Sequence, residues 1–269
     1  MARIFLVTDY GLDDEFAGVL HAVIARLAPD ASVIDLSHGV APFDVAGAAA
    51  LLARAAPHLG PGVVCAVVDP GVGGDRRAVA IEVDGDGPRH LVGPDNGVLT
   101  EAARAFGIRR AVELRRASDL ASTFEGRDLF APVAARLATG ARLSDLGEPL
   151  DVDSLVEPPR ALVATRATPD GHVALLATVR WIDRFGNVQL NVPGRAIAES
   201  STVGVVVKGE DALVRVVSTF ADLDPGTAGL LRDANDAVAL VVAQGSAAER
   251  FDVAVGDHVE LVGSFGPLS

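Results

Sequence analysis

Apolar residues in the first half of the chain alternate between short continuous runs and segments with helical spacing. Continuous runs at 3–8, 32–37 and 62–69 predict buried strands. After the first run, six apolar residues recur at the spacing of one helix face: Phe16, Val19, Leu20, Val23, Ile24 and Leu27. Similar patterns predict strands at 78–84, 90–93 and 111–114, and helices at 43–57, 98–106 and 128–138. We therefore expect an α/β N-terminal domain with a mainly parallel sheet over residues 1–157.

The second half of the chain loses the helical period. Short β-branched runs separated by Gly, Asn and Asp occupy residues 172–182, 187–192, 203–209, 213–220, 237–243 and 258–263. This pattern predicts a small all-β, barrel-like C-terminal domain at 172–269, either a barrel or a sandwich. The composition changes near Glu157-Pro158-Pro159, so residues 158–171 are predicted to be a linker.

Charge and cysteine usage narrow the function classes. A net charge of −13 repels nucleic acid and anionic membrane surfaces and mildly favours cationic small molecules. The apolar run before Thr8 is too short for a signal peptide or a membrane span, so a cytoplasmic protein is expected. Cys65, the single cysteine, lies in an apolar strand. It is expected to be a buried structural thiol, and it cannot form an intrachain disulfide or a thiolate zinc site.

A carboxylate follows the first predicted strand. Ligands of open α/β sheets bind outside the carboxyl ends of the strands, where Asp9 can accept two hydrogen bonds from a ribose diol. Asp13 and Asp14 come next, and they are better explained as N-caps of the following helix.

A second carboxylate, Asp69, ends the third predicted strand and leads into a glycine-rich turn that closes with Arg76 and Arg77. Such a turn can fold an arginine back toward Asp69, and the pair can then hold and polarise a water molecule. The alternative is a loop salt bridge without chemistry.

Two further motifs belong to the first half. Pro-Asp-Asn-Gly at 94–97 is best explained as a structural turn. STFEGRD at 122–128 opens a helix. Its last two residues are expected to form a local ion pair or cap, whereas Phe124 and Glu125 precede the helix, where side chains can face a cleft.

The motif IDRFGN at 182–187 predicts a tight turn between two strands of the second domain. A plain hairpin explains it. Even so, Phe185 offers an exposed stacking face and Asn187 offers an amide for a purine or a ribose.

Taken together, the motifs TDYG, VDPGVGGDRR, GPDNG, STFEGRDLFAP, IDRFGN and QGSAAERFDVAVGDHVEL resemble one family, in its order, from about residue 3 to residue 262. This family is the S-adenosylmethionine (SAM) hydroxide adenosyltransferases, relatives of the fluorinating and chlorinating SAM enzymes. The resemblance implies hydrolysis of SAM to adenosine and methionine without a metal or an organic cofactor. It also implies a homotrimer with active sites between the first domain of one subunit and the second domain of its neighbour.

The resemblance also assigns roles to residues. Asp9 would hold the ribose hydroxyls, and Asp69 and Arg76 would position the nucleophilic water. Glu125 stands where the family has a histidine of the same catalytic set, and a carboxylate there can pair with Arg76 and accept a hydrogen bond from water. The other substrate-binding candidates are Phe124, Phe185, Asn187, Val242 and Gln244.

Three alternatives stay open on the sequence alone. Halide transfer to SAM is disfavoured because the charge of Asp69 would repel an anion. A calcium-dependent nucleoside hydrolase has an acid where this chain has Val7, so its calcium cluster would lose a ligand. A non-catalytic SAM-binding or adenosine-binding protein is the third, with Glu125 marking lost or weak activity.

Overall fold

The computed structural model describes residues 2–116, 123–158, 163–168, 173–199 and 201–268. The chain divides into two compact units, Met1–Pro159 and Arg160–Ser269. Ser122, His172 and much of the predicted linker, residues 159–162 and 169–171, lie outside the described residues.

The described residues of the first unit form a seven-stranded sheet and four α-helices. Its strands are Arg3–Thr8 (β1), Ser32–Ser37 (β2), Val63–Val67 (β3), Ala78–Val83 (β4), His90–Pro94 (β5), Ile108–Leu114 (β6) and Gly147–Leu150 (β7). Its helices are Phe16–Leu27 (α1), Val45–Ala55 (α2), Thr100–Phe106 (α3) and Ala131–Ala138 (α4). The strand order is β2-β1-β3-β5-β4-β6-β7. Strands β2, β1, β3 and β5 run parallel, whereas β4, β6 and β7 join antiparallel. The predicted α/β class is confirmed, and the sheet is mixed because the short connection from β4 to β5 makes a hairpin.

Strand β1 shows why the apolar runs are continuous. Its alternate residues enter two separate buried clusters: Ile4 and Leu6 pack with α1 and α4, and Phe5 and Val7 pack with α2 and α3. Helices therefore cover both faces of the sheet, and neither face of the strand meets water.

Helix α1 begins later than the sequence suggests. The chain bends through residues 12–15, and Glu15 occupies the N-cap position without a side-chain hydrogen bond to the helix. The predicted capping role of Asp13 and Asp14 is therefore wrong, because both residues precede the cap. Within the described ranges, none of the helices has the length and apolar character needed to cross a membrane.

The second unit is a closed β-barrel. Its strands are Ala164–Ala167 (β8), Val173–Ile182 (β9), Val188–Pro193 (β10), Thr202–Val207 (β11), Glu210–Val216 (β12), Ala228–Arg232 (β13), Ala237–Val242 (β14) and His258–Gly263 (β15), with one short helix, Ala247–Arg250 (α5). The order β10-β14-β13-β12-β11-β15-β9 closes through pairing of β10 with β9, and β8 adds to the outside of β9. The barrel-like prediction is confirmed.

Strand β8 corrects the predicted linker at 158–171. Residues 164–167 pair with β9 and so belong to the sheet of the second unit. All four side chains are exposed, which leaves no alternation of buried and exposed positions for a sequence pattern to show.

Candidate active site

A cavity of about 920 Å³ lies at the carboxyl ends of β1 and β3 in the first unit. Asp9 follows β1 directly, and Asp69 follows two residues after the end of β3. Phe124 and Glu125 reach the same cavity from the chain that enters the π-helical turn Gly126–Phe130. Four of the candidate residues from the sequence therefore line one cavity.

Arg76 folds back onto Asp69 through the glycine-rich turn. Its Nε atom lies 3.0 Å from both carboxylate oxygens of Asp69, and its Nη2 atom contacts Oδ2 as well. Both side chains are nearly buried, with 10% and 7% of their surface exposed. A Cβ atom at Gly71 would lie 3.1 Å from Arg76 Cγ, so the missing side chain helps the turn to close this tightly.

Glu125 lies between two arginines. Arg76 Nη2 also contacts Glu125 Oε2, and Arg116 Nε lies 2.9 Å from Glu125 Oε1. Arg116 additionally donates from Nη2 to the backbone oxygen of Arg76 at 2.8 Å. Sequence reasoning missed Arg116, because it follows β6 as one of two adjacent arginines and no motif marks it. Asp69 and Glu125 thus contribute two negative charges that two guanidinium groups balance.

The Arg76 guanidinium is held in its charged form. Burial disfavours the cation, but the hydrogen bonds and charges of Asp69 and then Glu125 outweigh burial and raise the pKa of Arg76. The ring of Phe130 lies 5.3 Å from the guanidinium carbon. Arg76 Nη1 is buried and has no hydrogen-bond partner among the described residues.

An aromatic cluster forms one wall of the cavity. The ring centroids of Tyr10, Phe16 and Phe124 lie 5.2 to 5.8 Å apart. Burial, and then the charges of neighbouring acidic groups, raise the pKa of Tyr10, so its phenol stays protonated. A Cβ atom at Gly126 would collide with the Tyr10 hydroxyl. The glycine therefore allows the π-helical turn to pack against this wall.

Asp9 also shapes the cavity through Phe43, which sequence reasoning missed. Asp9 Oδ2 accepts a hydrogen bond of 2.9 Å from the backbone N–H of Phe43. Phe43 adopts a left-handed backbone with φ of 69°, and its side chain, although 71% exposed, lines the cavity. Asp9 thus holds the backbone of Phe43, whose ring lines the cavity. Its other carboxylate oxygen, Oδ1, is not used in this contact.

Two of the other motifs serve the fold. Arg77 Nε donates to Asp95 at 2.7 Å, and Asn96 Nδ2 donates to the backbone oxygen of Val68 at 2.8 Å, so residues 94–97 are a structural turn as predicted. Arg127 and Asp128 form the expected local ion pair, with two hydrogen bonds of 2.7 Å.

Val7 and Cys65, which bear on a calcium site and on a reactive thiol, both lie in the core. Val7 is fully buried among apolar side chains, so it offers no ligand to a cation. Cys65 is also fully buried, and burial raises the pKa of its thiol to about 12. A thiol of this kind is structural, as the sequence predicts.

The second unit contains a cavity of about 690 Å³ that all four candidates of this half line: Phe185, Asn187, Val242 and Gln244. Asp183 organises the turn that carries the first two. Its Oδ1 atom accepts from the backbone N–H groups of Phe185 at 2.8 Å and Asn187 at 2.9 Å, and its Oδ2 atom accepts from Asn187 Nδ2 at 2.8 Å. Phe185 is 71% exposed, so its ring is available for stacking.

Known proteins resemble this chain along both of its units. Sequence models of the SAM hydroxide adenosyltransferase N-terminal and C-terminal domains match residues 4–147 and 177–260. The chain is 46% identical to an (R)-S-adenosyl-L-methionine hydrolase of Salinispora tropica, over 96% of this chain and 97% of that protein. It is 36% identical to a protein of the same name from Thermus thermophilus, over 97% of this chain and 100% of that protein.

A solved structure extends the comparison to the fold. The crystal structure of an uncharacterized conserved protein from Thermotoga maritima superposes with a TM-score of 0.85 at 32% identity, covering 96% of this chain and 99% of that chain. The two matched domains correspond to the α/β unit and the barrel described above. The chain therefore belongs to the SAM hydroxide adenosyltransferase family.

Proposed function

We propose that this protein hydrolyses SAM to adenosine and methionine at the cavity of the first unit. The observation that carries the proposal is the buried cluster of Asp69, Arg76 and Glu125, whose two acidic residues line that cavity, in a chain that is 46% identical to a named SAM hydrolase. The cavity also suits the charge of the substrate, because several carboxylates line it and SAM is a sulfonium cation.

The proposed reaction is an in-line displacement at C5′. Asp69 and Arg76 hold a water molecule opposite the sulfur, its oxygen forms the new bond to C5′, and the C5′–S bond breaks with its electron pair on sulfur. Methionine leaves as a neutral thioether, so the leaving group needs no general acid. A carboxylate of the cluster takes the proton of the water as attack develops. Orientation of the water lowers the barrier by several kcal/mol.

Substrate contacts follow from the cavity walls. Asp9 is proposed to hold the ribose hydroxyls with the carboxylate oxygen that Phe43 does not use, and Phe43 and Phe124 provide apolar surfaces for the nucleoside. In the second unit, Phe185 and Asn187 are proposed to contact the nucleoside, and the backbone near Val242 and Gln244 to meet the adenine edge.

We also propose a homotrimer in which the first domain of one subunit and the second domain of its neighbour complete each active site. Support comes from the family resemblance and from the exposed ring of Phe185 in a cavity of its own. Analytical ultracentrifugation should give three times the monomer mass. A monomer that is fully active at nanomolar concentration would refute the shared site.

The stereochemistry at sulfur is proposed to be that of the relatives, which are named for the (R) diastereomer. Turnover of separated (R)-SAM and (S)-SAM tests this directly. Faster release of adenosine from the (S) form would refute it.

The central experiment incubates purified protein with SAM and measures adenosine and methionine by chromatography. The wild-type protein should form both in equal amounts, and Asp69→Asn, which keeps the side-chain shape, should lower turnover by roughly 10²–10⁴-fold. Tight adenosine binding without turnover by the wild type, or a near-normal rate in the variant, would overturn the proposed role of the cluster.

A further inference from the structure

We infer that His21, Asp35 and His38 form a binding site for one divalent transition-metal ion, separate from the Asp69 cluster. Asp35 Oδ1 lies 2.8 Å from His21 Nε2 and 3.1 Å from His38 Nε2. One ligand atom from each residue lies within 4.8 Å of the other two. Ligand atoms about 2.0–2.2 Å from a tetrahedral zinc ion are separated by roughly 3.3 Å, so small side-chain rotations suffice to enclose an ion.

The three residues come from neighbouring elements that the fold holds in place. His21 lies on α1, Asp35 lies on the edge strand β2, and His38 follows β2 directly. The backbone oxygen of His38 accepts a hydrogen bond of 2.8 Å from Gly11 N–H, which anchors the residue beside the carboxyl end of β1. The ligands therefore do not depend on a long mobile loop.

The state of His38 is the second observation that points to a ligand. Its side chain is only 3% exposed, yet Nε2 makes no hydrogen bond with any described residue. The nitrogen instead faces Asp35 Oδ1 at an ion-pair distance of 3.1 Å. A metal ion between the two atoms would satisfy both of them and would give the buried nitrogen the directed bond that it lacks.

The other ring nitrogen of His38 is already held. Nδ1 lies 2.8 Å from the hydroxyl of the fully buried Thr8. Metal-binding histidines commonly fix their second nitrogen in this way, which sets the ring orientation. With Nδ1 occupied, Nε2 is the atom presented to His21 and Asp35.

The donor set selects the class of ion. Two imidazole nitrogens and one carboxylate favour Zn²⁺ or a neighbouring transition metal, whereas Ca²⁺ and Mg²⁺ prefer oxygen ligands. The exposed fractions of His21 and Asp35, 39% and 43%, leave room for a water as the fourth ligand. No step of the proposed hydrolysis runs through this ion. Because His38 also lines the cavity, the ion would instead stiffen that wall.

Equilibrium dialysis of tag-free protein against Zn²⁺, with the bound metal counted by atomic emission, tests the inference. Wild-type protein should bind one ion per chain. His21→Ala and Asp35→Asn should each weaken binding by at least about tenfold, since even the loss of a residue that only orients a metal ligand typically costs about 10–100-fold in affinity. His58→Ala is the matched control, since His58 is an exposed histidine outside the cluster and its removal should change nothing.

Two readouts keep the outcome decisive. Co²⁺ bound to the wild type should give visible absorption bands of a four-coordinate or five-coordinate site, and both cluster variants should lose these bands. Zn²⁺ should raise the melting temperature of the wild type and of His58→Ala, but not of the cluster variants. Failure of the wild type to bind Zn²⁺, or equal binding by folded His21→Ala and Asp35→Asn, would overturn the inference.

Discussion

Arg116 Nε lies 2.9 Å from Oε1 of Glu125, a side chain that is only 6% exposed. The other oxygen of Glu125 contacts Arg76, which is also bound to Asp69. Without Arg116, one guanidinium would serve two nearly buried carboxylates. The pairing therefore explains how this chain accommodates a glutamate beside Asp69 at the candidate site.

Removal of Arg116 tests this balance. Arg116→Ala should lower stability by about 1.5–3 kcal/mol, the usual value of a hydrogen bond to a charged group, and it should lower kcat more than it raises KM. Adenosine release and thermal unfolding measure the two effects. Arg115→Ala is the control, because the ion pair of Arg115 among the described residues is with the exposed Glu148, a surface contact worth little. Equal behaviour of the two variants would contradict a special role for Arg116.

Glu125→His should harm this chain, although the family resemblance of the sequence implies a histidine at this position. An imidazole replaces a carboxylate that contacts two guanidinium groups, so both arginines lose an anionic partner. Melting temperature and turnover should both fall. The double variant with Arg116→Ala should lose less than the sum of the single losses, since the two residues are in contact. A single Glu125→His variant faster than wild type would refute the compensation.

Gly126 is required by the aromatic wall. In Gly126→Ser the new Cβ would collide with the Tyr10 hydroxyl, so either the π-helical turn or the tyrosine must move. We expect a loss of about 1–3 kcal/mol, typical of overpacking, together with reduced turnover. Denaturant unfolding measures the loss of stability, and adenosine release measures the loss of turnover. Gly18→Ser is the control, because a Cβ there meets nothing within 4 Å.

The residues that sequence reasoning found carry local signals. Asp9 and Asp69 end apolar strands, and the glycine turn after Asp69 brings Arg76 back within a few residues. The barrel candidates likewise follow from a tight turn, because Phe185 and Asn187 lie on either side of a glycine. Strand ends and glycine-containing turns can be recognised from the order of residues alone, so the side chains at these places can be predicted.

The residues that sequence reasoning missed reach the site through tertiary contacts. Phe43 reaches the cavity because its N–H bonds to Asp9, 34 positions earlier, and no periodicity records that pairing. Arg116, which follows β6, meets Glu125, nine positions later, only in the folded chain. Strand β8 escaped for another reason, since an outer strand with four exposed side chains has no apolar face to recognise.

Cys65 gives a pH-dependent test of the core. With a pKa of about 12 in the folded protein, about one thiol in 10⁴ is ionised at pH 8, so native protein should react very slowly with a disulfide reagent. The unfolded thiol ionises near its ordinary pKa of about 8.5. Above that pH the unfolded state binds fewer protons than the folded state, so this residue makes stability fall as the pH rises. Rapid labelling of native protein at pH 8 would contradict a buried thiol.

Asp183 fixes the shape of the barrel turn but is not itself one of the proposed substrate contacts, so its removal tests the role of the turn. The residue accepts three hydrogen bonds from Phe185 and Asn187, and Asp183→Ala leaves those donors without their partner. The proposed nucleoside contacts would lose their fixed positions, whereas the Asp69 cluster would stay intact. We therefore expect KM for SAM to rise about tenfold or more while kcat changes little, the pattern of lost uniform binding. Asp211→Ala on β12 provides an exposed control in the same unit. A fall in kcat at unchanged KM would show instead that the turn acts on the chemical step. That result would contradict the proposal that the turn binds the nucleoside while the Asp69 cluster carries the chemistry.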